Sequence, residues 1–137
     1  MSRYALRVPR YAIKDMQVSK EQFESWVKEA LDCLPEEFLK KINNVAFFVE
    51  DKPSSEQYKK IGLKKDDVLF GLYEGHLQSR RLNIGPVLPD RITIFRKAIL
   101  SQFHTEVEIK KKIANTLRHE IAHHFGSDEK GARKAGR

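Results

Sequence analysis

Apolar positions first fall into a helical rhythm. Phe23, Trp26, Val27, Ala30, Leu31 and Leu34 recur at helical steps and predict one buried stripe. Ser19 stands before the stripe as an N-cap, with Gln22 completing a capping box and Val18 placed to staple onto Phe23. Pro35 ends this helix and starts a short second one over PEEFLKKIN. Asn43-Asn44 then signals a turn, and Val45–Val49 is a continuous apolar run that reads as a buried strand. Residues 51–66 are a polar connection with a helical turn at SSEQYKK. A second strand is predicted over Val68–Tyr73, where Gly71 marks a bulge or a close backbone approach. Residues 76–90 form a long loop, the kind that is often functional. Arg91–Arg96 alternates as a half-buried strand does. Thr105, with Glu108 in a second capping box, opens a last helix expected over Glu106–Phe125, with Gly126 as its stop. A short strand is also expected near Tyr4–Val8.

Composition narrows the class. A chain of 137 residues with 40% hydrophobic content suits one domain with a modest core. No apolar run reaches the ~18 residues of a spanning helix, so no membrane partner is expected. The first residues lack the apolar core of a signal peptide, which points to a cytoplasmic protein. Cys33 is the only cysteine and is read as structural; an internal disulfide and a cysteine-built zinc cage are both excluded. Any metal must be held by His and carboxylate. The net charge of +7 is concentrated at the ends. It divides the chain into a basic extension over residues 1–18, a domain over 19–130 and a flexible basic tail over 131–137. Such charge attracts nucleic acid, but solubility explains it as well, and nucleic acid is not the favoured partner.

Chemistry concentrates on the last helix, in His119-Glu120-Ile121-Ala122-His123. Residues i and i+4 lie one above the other on a helix, so both imidazoles can meet one Zn²⁺. Glu120, about 100° around the helix, can take a proton from an activated water. Ile113, Leu117, Ile121 and Phe125 cluster on the opposite side, so the two histidines do not belong to the apolar stripe. His124 points toward that stripe and is read as a packed, hydrogen-bonded side chain. A zinc enzyme needs a third protein ligand. His104 is too far along the chain, and no Met follows Gly126 to make a metzincin turn. The residues left are Asp128 and Glu129, reached if the chain turns back at Gly126. Glu129, ten residues past His119, is the first choice by spacing; Asp128 is close behind. His76, Tyr73 and Glu74 have surface readings as well as cleft-lining ones.

HEIAHHFG resembles the signature of the small bacterial minimal zincins, whose motif is that of zinc metallopeptidases. Matching stretches run in the family's order through ALDCLPEEF, NVAFFVED, LFGLYEG and LPDRITIFR, so the resemblance spans about Phe23 to Glu129. It implies an α+β, zincin-like domain: a small twisted mixed sheet of three to four strands packed with the N-terminal helix pair and the C-terminal active-site helix. It carries over His119 and His123 as zinc ligands and Glu120 as general base. The family pattern has one more residue between the glycine and the acidic pair, so alignment by residue type favours Asp128 and alignment by distance favours Glu129. The expected function is zinc-dependent hydrolysis of peptide bonds in an extended peptide or protein substrate. The alternative is a non-catalytic module that binds RNA or protein on a zincin scaffold with a vestigial metal site.

Overall fold

The structure, a computed structural model, describes residues 18–64, 67–75 and 88–133, the side chains of Lys41 and residues 127–133 excepted. The expected strand near Tyr4–Val8 and most of the 76–90 loop, His76 included, lie outside these residues. The elements are α1 (Lys20–Asp32), α2 (Glu36–Lys41), β1 (Val45–Glu50), α3 (Ser55–Ile61), β2 (Gly71–Glu74), β3 (Asp90–Phe95), α4 (Arg96–Gln102) and α5 (Glu106–Arg133).

The helix starts follow from their caps. Ser19 accepts from the Gln22 N–H at 3.0 Å, Ser54 forms a reciprocal box with Gln57, and Thr105 accepts from the Glu108 N–H at 3.1 Å. Two departures stand out. Residues 96–102, unassigned from sequence, form α4, held by Arg96: its guanidinium donates to Asp51 at 2.9 Å and to the Val18 carbonyl at 2.7 Å. That bond holds the Asp51 carboxyl below the usual carboxylate range. And α5 does not stop at Gly126 but continues to Arg133. A Cβ at Gly126 would meet nothing within 4 Å, so no packing demands a glycine there, and the helix simply runs through it.

The three strands form a mixed sheet in the order β1-β3-β2, with β1 parallel and β2 antiparallel to β3. Asn44 enters β1 with φ 56°, a left-handed turn that Asn tolerates; its carbonyl accepts from the Asp90 N–H at 2.9 Å and aligns β3. The alternation of β3 suggested a half-buried strand, yet it is central and buried along most of its length. Conversely β1, read as a fully buried strand, is an edge with Phe48 exposed on the second face under the Arg91 guanidinium. One core joins Ile92 and Ile94 of β3 to Phe23, Trp26 and Val27 of α1 and to Ile109, Ile113, Leu117 and Ile121 of α5. The last four sit at four-residue steps, which rotates the opposite face of α5 outward.

Gly71 is the close approach that its position in the strand suggested, and the pairing runs through it without a bulge. A Cβ there would stand 2.5 Å from the Thr116 methyl, 3.2 Å from the Thr93 carbonyl and 3.4 Å from Glu120 Cγ. The missing side chain lets β2 lie directly on α5. Gly71→Ala is therefore expected to destabilise the protein by about 1–3 kcal/mol. Adding Thr116→Ser, which removes the colliding methyl, should recover part of that loss in denaturant unfolding; no loss in the single variant would contradict the contact.

Candidate metal centre

The outward face of α5 carries His119 and His123, both exposed, while Glu120 at its border is only 7% exposed. The two Nε2 atoms are 3.2 Å apart, with the rings nearly perpendicular. Two nitrogens bound to one tetrahedral Zn²⁺ at ~2.0–2.1 Å stand roughly 3.3 Å apart. The pair thus already has the separation that a zinc ion requires. Among the described residues, His119, Glu120 and His123 are the group that can hold a metal, with ligand atoms within 4.8 Å of one another. His104 stays at the start of α5, where its N–H donates to Glu108. Asp128 and Glu129 lie on the last turns of α5, and their side chains are outside the description. The backbone turn that was to bring one of them back at Gly126 is not formed.

Glu120 gains its setting from β2. In the antiparallel ladder the Phe95 N–H donates to the Phe70 carbonyl at 2.8 Å. Paired residues alternate, so Gly71 and Tyr73 direct their backbone groups away from β3, toward an edge that no other strand among the described residues pairs. The Tyr73 N–H meets the Glu120 carboxylate there. Burial pushes the Glu120 carboxyl above its ordinary value; His123, His119 and the Tyr73 N–H oppose the shift without cancelling it. A carboxyl held this way is a better proton acceptor than an ordinary one.

A second polar group sits one residue past the histidine pair. His124 is buried, as its place on the apolar side of the helix implied, and its Nδ1 lies 2.8 Å from Asp90 Oδ2. The Tyr73 hydroxyl donates to the same oxygen at 2.8 Å, and its ring stands edge-on to His124. Gly75 leaves room for that hydroxyl, which a side chain there would strike. Tyr73 therefore grips α5 twice, by its N–H at Glu120 and through Asp90 at His124. Sequence reasoning gave Asp90 no role and left Tyr73 between a surface and a cleft position. Their partners lie 17 and 34 residues away, and no local pattern announces such contacts.

The raised carboxyl has a thermodynamic consequence. In metal-free protein the folded state releases the Glu120 proton at higher pH than the unfolded chain does. Stability contributed by the neutral form is therefore lost as pH rises through that window, which begins near the ordinary value of 4.5. Glu120→Gln removes the buried charge and keeps an oxygen for the Tyr73 N–H. In chelator-treated protein the variant should melt above the parent at pH 7, with the gap closing toward pH 4. A gap that is constant with pH, or reversed, would count against the burial effect.

The chain has counterparts among known proteins. The family model described as zincin-like metallopeptidase matches residues 42–136, beginning after the helix pair that the resemblance had included. A conserved hypothetical protein from T. thermophilus shares 23% identity, with 80% of this chain and 95% of that one covered at a TM-score of 0.50, a likeness of fold. No curated protein matches the chain. The α+β architecture with its small mixed sheet agrees, and the chain belongs to the zincin-like metallopeptidase family.

Proposed function

We propose that this protein is a zinc-dependent peptidase in which His119 and His123 hold the metal and Glu120 is the general base. The observation that carries the proposal is the buried Glu120 carboxyl fixed beside two imidazoles already at zinc-binding separation. Bound there, Zn²⁺ supplies Lewis acidity toward a carbonyl oxygen and lowers the pKa of water. The chain's own residues do the rest. The Tyr73 N–H orients Glu120, which takes a proton from the attacking water and delivers it to the leaving amine nitrogen. Burial keeps the carboxyl basic enough to accept that proton.

The sheet edge supports an extended peptide as the substrate class. The outward groups of Gly71 and Tyr73 lie on the edge of β2, beside Glu120. An extended peptide can pair with that edge and bring a backbone carbonyl to the metal site. Asp128 and Glu129 remain the proposed third ligand. As α5 stands, they lie about 14 and 15 Å of helical rise beyond His119. Either one reaches the metal only if the helix opens at Gly126. A mid-helix glycine already costs about 1 kcal/mol relative to alanine, and here no contact offsets it. The second half of the site is thus coupled to a local conformational change. No helix among the described residues is long and apolar enough to cross a membrane.

The test is hydrolysis of a random peptide mixture by zinc-reconstituted protein, read by mass spectrometry. Cleavage is expected, and Glu120→Ala should lower it by about 10²–10⁴-fold while zinc stays bound. Undiminished cleavage by the variant, or none by the zinc-loaded parent, would overturn the proposal.

A further inference from the structure

A cleft of about 420 Å³ runs from the metal centre along α5. One wall is Val68–Gly71, leading into β2. The other is a helical stripe of Lys112, Asn115, Thr116, His119 and Glu120. Lys112, Thr116 and Glu120 lie at four-residue steps, with Asn115 and His119 beside them also four apart, so a single face of α5 forms this wall from end to end. Its far end is chemically unlike its middle. Lys112 stands there with its ammonium 4.2 Å from the Phe70 ring centroid and 5.8 Å from that of Phe103. Val68 and Leu69 add apolar surface beside it.

Among the described residues Lys112 has no carboxylate within ion-pair distance. Its neighbours do. Lys110 pairs with Glu29 and Glu106, and Lys60 pairs with Glu74. Glu108, one turn before Lys112 and its natural helical partner, is instead engaged by the His104 and Thr105 caps. A cation half-buried against two aromatic faces, with no acid to answer it among the described residues, is suited to a substrate's negative charge.

From these features, and resting on the peptidase reading above, we infer that Lys112 is a specificity-determining residue. It selects extended peptides that place a carboxylate about three residues from the scissile bond. The distance follows from the strand. Tyr73 marks the reacting end and Phe70 the Lys112 end, and three residues of extended chain span roughly 10 Å. The helix agrees, since Lys112 lies seven residues before His119, about 10.5 Å of rise. The carboxylate can be an Asp or Glu side chain or the substrate's own C-terminus. Phe70 and Val68 accommodate the apolar stem of either.

The experiment uses full-length zinc-reconstituted protein for cleavage and its Glu120→Gln variant for binding. The probes are octapeptides matched in all but one position, scanned with Glu against Gln, and made with free or amidated C-termini. The peptidase should favour Glu over Gln about 5-fold at one position near three residues from the cut, mainly through KM. A preference confined to the free C-terminus assigns the carboxylate to the chain end instead. Either preference should fall between 50 and 500 mM salt. Lys112→Met should erase it, and Lys112→Glu should turn it toward Lys-containing peptides, with Thr116 and the histidines untouched. If nothing is cleaved, fluorescence anisotropy on the Glu120→Gln protein still reads the same preference; finding it there supports the role of Lys112 while the peptidase reading fails. Equal cleavage or binding of Glu and Gln peptides of both kinds, no peptide binding at all, or a preference unchanged in Lys112→Glu overturns the inference.

Discussion

The contact of β2 with α5 governs the rest of the molecule. Because Gly71 lacks a side chain, the edge strand lies against Thr116 and the Tyr73 N–H comes within reach of Glu120. A carboxyl buried without a donor would be costly, and one left in water would not have a raised pKa. The strand supplies the middle case, a carboxyl withdrawn from solvent yet still hydrogen-bonded. The same strand edge that holds Glu120 also offers its remaining backbone groups to an extended chain. The proposed catalytic carboxyl and the proposed substrate track thus come from one packing event.

The network of Tyr73, Asp90 and His124 makes that event specific. Apolar residues at four-residue steps bury one face of α5, but they tolerate small rotations of the helix. A buried Asp90 joined to His124 and Tyr73 at 2.8 Å does not, since a rotation would separate groups that are costly to leave unpaired. The helix is thereby held with His119 and His123 facing out and Glu120 under the strand.

Much of this was legible in the chain. Caps, the α1 stripe, the positions of β1 and β3 and the histidine pair follow from local spacing, because their physics acts within one or two helical turns; β2 begins only at Gly71, three residues after the expected Val68. The position of Gly71 announced a close approach without naming Thr116 as the partner. What could not be read depends on contacts between distant segments. Strand burial came out inverted for β1 and β3, because the sheet order, not the composition of each strand, decides which one is central. The α4 helix depends on Arg96 reaching Asp51 and Val18 across the fold. Gly126 carries a local stop signal, but the long α5 helix runs through it. The roles of Asp90 and Lys112 emerge only once β2 and α5 are side by side.

The central claim is that His119 and His123 are ligands to one zinc ion. X-ray absorption at the zinc edge, on protein reconstituted with one equivalent of metal, tests it most directly. Two imidazole nitrogens at ~2.0–2.1 Å are predicted, with one lost in His119→Ala and one in His123→Ala. A zinc environment without imidazole, or one unchanged by both substitutions, would contradict the account.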